Sequence, residues 1–205
     1  MFTVPEVPAE LALLLCSVFG YLFGSIPFGI VLTKPFGYDL RSIGSGNIGA
    51  TNVLRTGRKD LALATLVMDA GKGGIAAALA GILVDASGSL VAGCAAVLGH
   101  NFPIWLRFKG GKGVATTLGV LFLTAWPVGA IACSVWFLMA LLTRYSSLSA
   151  LMALGTAPVS AWFLASPAHT VAFAVLAILA FVRHHENIRR LLQGTESKIR
   201  LRKAQ

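Results

Sequence analysis

From Leu11 to Thr33 the chain runs for 23 residues without one charged side chain. A helix needs roughly 20 apolar residues to cross the hydrocarbon core of a bilayer, where no water can satisfy open backbone groups. The stretch therefore reads as a membrane span. It does not read as a cleavable leader: Pro5, Glu6, Pro8 and Glu10 precede it, and no Lys or Arg does. Only 12% of the chain is charged, against about 25% in soluble domains, so there is too little charge to cover a soluble surface.

Further spans are expected at Leu61–Leu83, Ser87–Trp105, Val114–Trp126, Val128–Thr143, Leu148–Leu164 and Thr170–Val182, which makes seven. The fourth and fifth meet at Pro127, and joining them into one kinked helix would give six. Charge placement separates the two counts. With seven spans, Lys34, Arg41, Arg55, Arg58 and Lys59 fall on one side, as do Arg107, Lys109, Lys112 and Arg144. The same side takes Arg183, Arg189, Arg190, Lys198, Arg200, Arg202 and Lys203, while Glu6, Glu10 and Asp85 fall on the other. Six spans would place the basic tail opposite the first basic loop, against the positive-inside tendency. The expectation is a single all-α domain over residues 1–205, a polytopic bundle of seven transmembrane helices. Its N-terminus lies outside and its C-terminus in the cytoplasm.

The net charge of +9 is then mostly topology. Nucleic-acid binding is not needed to explain it, and the basic tail will attract anionic lipid. Cys16, Cys94 and Cys133 lie within spans and have no ligand spacing, so neither a disulfide framework nor a metal site is expected.

Polar chemistry gathers in segments 34–59 and 106–113 and in the tail from 183. In "IGSGNIGATNVLR", Gly44-Ser45-Gly46 allow positive φ, so that successive N–H groups can converge on an anion. Ser45 or Asn47 can cap a following helix. If that helix runs on, Asn47, Thr51 and Arg55 share a face. The competing reading is a capped re-entrant turn with an interfacial arginine. In "FKGGKGVATT", Gly110, Gly111 and Gly113 surround Lys112 just before a span. Backbone donors and a cation again meet at a helix N-terminus, although flexible positive-inside lysines account for the same residues. The spacing is not that of a P-loop.

Three other stretches carry polar groups. His100 and Asn101 in "GHNFP" either line the same pocket or serve packing. In the tail, His184 and Asn187 are neighbours at i, i+3 if one helix continues through them. Asp69 and Lys72 sit three apart inside the second span, where an unpaired charge costs about 2.5–3.5 kcal/mol. They read equally as a bracing pair or as a functional one.

Three functions compete. A transporter of a phosphorylated anion would place its polar groups near the midplane, with access from both sides. A structural or lipid-binding protein needs the basic residues but not two glycine loops with His and Asn. An enzyme at the membrane face could meet a phosphorylated substrate from the cytoplasm and a lipidic one from the bilayer.

"GSIPFG" (24–29), "GSGNIGATNVLR" (44–55), "DAGKG" (69–73), "GHNFP" with "FKGGKGVAT" and "RHHENIRRLLQGTE" (183–196) resemble, in order, the motifs of the bacterial acylphosphate:glycerol-3-phosphate acyltransferases. The resemblance implies transfer of a fatty acyl group from acyl phosphate to the sn-1 hydroxyl of glycerol 3-phosphate. The products would be lysophosphatidic acid and phosphate. It implies an inner-membrane protein whose active site faces the cytoplasm, with no cofactor and with functional contact to an enzyme that makes acyl phosphate.

By the same resemblance the catalytic residues are Ser45, Arg55, Lys112, His184 and Asn187. Gly44, Gly46, Asn47, Thr51, Asn52, Gly110, Gly111 and Gly113 would hold substrate phosphates. His100, Asn101, Asp69, Lys72 and Glu196 would support them. The H-x-x-x-x-D pair of acyl-CoA-dependent enzymes is absent: Trp105, Ala174, Arg189 and Arg190 stand five after the four histidines. The proton acceptor is left open between His184 and the phosphate of the glycerol substrate.

Overall fold

A computed structural model describes residues 7–199; the expectations for Pro5, Glu6, Arg200, Arg202 and Lys203 lie outside them. Every regular element among the described residues is helical. Five helical stretches are long and apolar enough to cross a membrane: Ala9–Phe36, Lys59–Leu83 (α4), Ala86–Asn101 with its continuation to Leu106, Trp126–Thr143 (α7) and Ser146–Leu164 (α8). A sixth is the pair Pro167–Arg183 (α9) and His185–Leu192 (α10), bent by 62°.

The expected count of seven leaves one segment that does not meet the length. Val114–Thr124 (α6) has 11 residues, about 16 Å at 1.5 Å per residue, roughly half a hydrocarbon core. The break after it falls at Ala125, and Pro127 sits in the first turn of α7, where its missing N–H removes no helical bond. Gly129 packs against the Phe122 backbone, so the chain doubles back there.

The first span is also broken. Ala9–Gly24 (α1) stops before Pro27, and Phe28–Thr33 (α2) restarts after it. Pro27 has no N–H to donate to the carbonyl of Phe23, four residues back, so the helix does not run unbroken through it. Lys72 Nζ, from the middle of α4, donates to Ile26 O at 2.7 Å and to Asp69 Oδ1 at 2.8 Å. Lys72 and Asp69 are both buried. The pair is thus a brace joining α4 to the break in the first span. At Gly20 and Gly24 any Cβ would run into the backbone of Ala92 and Ala96 on Ala86–Asn101 (α5), and such close approach of small residues is how membrane helices associate.

Between α2 and α4 lies one turn of helix, Ala50–Val53 (α3), followed by a 3-10 turn over Leu54–Thr56. The continuous helix expected to align Asn47, Thr51 and Arg55 does not form. Asn47 lies in the loop before α3, and Gly49, not Ser45 or Asn47, is at its N-cap. The single helix expected to carry both His184 and Asn187 does not form either. α9 ends at Arg183, His184 is the hinge residue, and Asn187 belongs to α10.

The three basic segments meet at one end of the bundle. Arg41 bonds to Lys109, Arg55 to Ser197, Arg183 to Gly111 and Ile199 to the carbonyl of Arg144.

Candidate active site

At that end a cavity of about 1940 Å³ is lined by Ser45, Arg55, Lys112, His184, Asn187 and Glu196, among others. The five residues expected to be catalytic come from α3 and its flanks, the glycine loop before α6, and the bend between α9 and α10. They therefore share one space. The cavity continues past Leu66 and Ile75 of α4, Phe122 and Leu123 of α6, and Trp136 and Phe137 of α7. One end is polar and the other is an apolar cleft between helices.

The first loop is held by Asn52, which is buried. Its Nδ2 donates to Leu40 O at 3.0 Å and to Asn47 O at 2.7 Å. Its Oδ1 accepts the Ser45 N–H at 3.1 Å and the Ser45 hydroxyl at 3.4 Å. Gly44 and Gly46 both have positive φ, 54° and 66°, so the turn expected there exists. Its amides do not all converge outward, however: Ser45 N–H goes to Asn52, and Gly46 N–H goes to Ile43 O. Gly44, Asn47 and Thr51 border the cavity and Gly46 does not. Thr51 Oγ1 also lies 3.0 Å from Ser146 Oγ. Arg55 crosses over Gly44, where a Cβ would overlap it, and donates to Ser197 Oγ at 2.5 Å.

The second loop is anchored to the end of α5. Gly110 N–H donates to Asn101 O at 3.2 Å and Gly111 N–H to His100 O at 3.0 Å. These two amides are engaged within the protein, and neither glycine borders the cavity. What faces it is Lys112, Gly113 and the first turn of α6, whose opening N–H groups have no intrahelical partner. Gly113 enters α6 with φ 75°. The His100 ring lies under Gly111, where a Cβ would collide with it. His100 Nδ1 is 3.6 Å from Asp69 Oδ1, so the α4 brace reaches the floor of this loop. Asn101 is fully buried, does not border the cavity, and supports the loop through its carbonyl.

Lys112 Nζ donates to Asn187 Oδ1, and Asn187 Nδ2 donates to Glu196 Oε1 at 2.6 Å. Glu196 also accepts from Ser147 Oγ at 2.8 Å and Arg190 Nε at 2.7 Å. Burial alone would raise its carboxyl; these donors outweigh burial and hold it below the usual value. Burial, reinforced by Arg190, pushes the Lys112 ammonium down to about 8. His184 Nδ1 lies 2.7 Å from Ala180 O, which makes Nδ1 the protonated nitrogen and leaves Nε2 as an acceptor. Burial pushes this imidazole down to about 4, so it is neutral near pH 7. His185 is exposed and does not border the cavity.

Several contributors had no signal in the sequence. Ser147 and Ser146, on α8, reach the site only because α8 packs beside the tail. Ser197 caps Arg55 from 142 positions away. No group of three or more His, Cys, Asp or Glu able to hold a metal ion occurs among the described residues.

Residues 14–194 match the family model described as glycerol-3-phosphate acyltransferase. The chain is 60% identical to a glycerol-3-phosphate acyltransferase of Rhodospirillum rubrum over 202 residues, covering 94% of each. It is 56% identical to one of Paramagnetospirillum magneticum over 190 residues, covering 92% of this chain and 94% of the relative. Among solved structures it is similar to PlsY (YgiH), an integral membrane glycerol 3-phosphate acyltransferase, in its glycerol 3-phosphate form. That similarity has 40% identity and a TM-score of 0.87, covering 91% of this chain and 94% of that one. The lysophosphatidic acid form of the same protein matches at 39% identity with a TM-score of 0.85 over the same shares.

Proposed function

The chain belongs to the glycerol-3-phosphate acyltransferase family, and from that premise we propose that it transfers a fatty acyl group from acyl phosphate to the sn-1 hydroxyl of glycerol 3-phosphate. The observation that carries this reading is the shared cavity. Two cationic side chains from separate loops, Arg55 and Lys112, border the same space as an apolar cleft between α4, α6 and α7. Both reactants carry phosphate, and one carries an acyl chain suited to such a cleft. A transporter would need a passage to the other face, and the polar groups here gather at one end.

In the proposed reaction, Lys112 and Arg55 hold the phosphates as charge-assisted partners. The glycerol oxygen attacks the acyl carbonyl carbon, the bond from that carbon to the phosphate-bound oxygen breaks, and inorganic phosphate leaves. Ser45 and the unpaired amides at the start of α6 stabilise the carbonyl oxygen as charge develops. His184 and Asn187 orient the glycerol hydroxyls. A histidine pushed down to about 4 is a weak base near pH 7, whereas a phosphate monoester with a second pKa near 6 is a better one. The hydroxyl proton therefore goes to the substrate phosphate, and His184 positions the hydroxyl through Nε2. Acyl phosphate is a mixed anhydride with a good leaving group, so alignment of the two reactants suffices without a covalent enzyme intermediate.

We further propose seven crossings in one domain, with the N-terminus outside and the site facing the cytoplasm of a bacterial inner membrane. The side rests on the gathering of basic loops at the end that holds the cavity. The short α6 is assigned as a crossing because its start follows a loop bonded to Arg183. Its last residue, Thr124, lies 3.2 Å from His169 in the first turn of α9. Contact with an enzyme that makes acyl phosphate would suit a labile donor. The test is purified protein given glycerol 3-phosphate with acyl phosphate, acyl-CoA or acyl carrier protein. Lysophosphatidic acid formed only from acyl phosphate supports the reading; product from the thioesters alone removes it.

A further inference from the structure

Two guanidiniums stand behind the substrate loops, outside the cavity. Arg183 donates from Nε and Nη2 to Gly111 O at 3.2 and 2.9 Å and lies over the Phe102 ring, 5.1 Å from its centroid. Arg41 donates from Nη1 to Gly46 O at 3.2 Å and from Nη2 to Lys109 O. Neither borders the cavity. Between segment 40–49 and segment 107–113 the Arg41–Lys109 bond is the one hydrogen bond among the described residues. The two loops otherwise hang from different anchors, the first from Asn52 and the second from the end of α5.

We propose that Arg41 is a positioning residue that sets the spacing between the two phosphate loops, and with it the placement of one reactant against the other. The inference rests on the two-substrate reading above. A guanidinium is a planar fork with five donors at fixed angles, so it can hold two carbonyls at once in one geometry. An ammonium acts as a point charge on a flexible stem and does not reproduce that geometry. By drawing the Gly46 and Lys109 carbonyl dipoles to the far side, Arg41 also keeps their negative ends away from bound phosphates. Each loop retains its own anchors without Arg41, so each substrate should still bind. What is lost is registration between attacking oxygen and carbonyl carbon, and a misplacement of about 1 Å can cost about 10²-fold in rate.

The test compares wild type, Arg41→Ala and Arg41→Lys in lipid nanodiscs. Binding of glycerol 3-phosphate alone and of a non-transferable acyl phosphonate alone is measured by calorimetry, and kcat is measured with both substrates saturating. The expected result for Arg41→Ala is a kcat lower by about tenfold to 100-fold, with each separate affinity within about threefold of wild type. Arg41→Lys should fall in the same direction, and carries the test alone if the alanine variant does not fold. An unchanged kcat in either variant overturns the proposal. So does loss of binding of either probe, which would make Arg41 a direct anion contact or a general structural support. Wild type that forms no product from acyl phosphate removes the underlying donor assignment, and is seen before any variant is compared.

Discussion

Lys112 Nζ and Asn187 Oδ1 are hydrogen-bonded across 75 positions of sequence. The bond ties the glycine loop ahead of α6 to the bend after α9, and Glu196 holds the far side of the same amide. The cation is thereby aimed into the cavity by a group that is itself fixed. Burial around it makes its charge strong toward an anion and easier to remove by base.

Replacing Lys112 with Met is expected to lower acyl transfer by about 10²–10³-fold, the loss typical of removing one charge-stabilising group from a reaction centre. The protein should remain folded and inserted, since one side-chain hydrogen bond is lost. Phosphate release from acyl phosphate, read beside a detergent melting curve, checks both halves. Activity near wild type would take Lys112 out of the site.

The rate should also fall at alkaline pH. Lys112 is held at about 8 by burial, so its protonated form is present below that pH and is lost as pH rises through it. The profile of kcat/KM, which reports the free enzyme, should decline above about pH 8. Lys112→Arg should abolish that decline, because a guanidinium does not deprotonate in this range. The same decline in the arginine variant would assign it to another group.

The Asp69–Lys72 brace predicts an unusual order of stabilities. Asp69→Asn leaves a buried ammonium without its counter-charge, at a cost of about 3–5 kcal/mol. Asp69→Asn combined with Lys72→Met removes both charges and should cost less than the single change. Thermal unfolding in detergent micelles ranks the three proteins. A double variant no more stable than the single one would remove the brace.

Gly71 borders the cavity, and the nearest atom to a Cβ placed there is Ile75 Cδ1 at 3.9 Å. If the cleft between α4, α6 and α7 holds the acyl chain, Gly71→Leu should narrow it without displacing backbone. Relative kcat/KM should shift toward shorter acyl phosphates, with the KM for glycerol 3-phosphate unchanged. Equal loss for all chain lengths would place the chain elsewhere.

How far the chain could be read ahead of its fold depended on the range of each interaction. The apolar runs had to be helices, because a bilayer leaves open backbone groups unsatisfied, and Lys59–Leu83 and Ser146–Leu164 appear within two residues of expectation. Gly44-Ser45-Gly46 had to turn, and it does at positive φ. Asp69 and Lys72, three apart on a helix, had to meet. These are local facts, decided within a few residues by covalent geometry and by the solvent. Packing decided the rest. That the Gly110 and Gly111 amides are spent on the end of α5, that His184 sits at a 62° bend, and that Ser147 and Ser197 reach the site all depend on contacts between distant segments. The sequence alone determined which groups could carry the chemistry; only the tertiary structure decided which of them face one cavity, because a hydrogen bond between remote residues has no period to read.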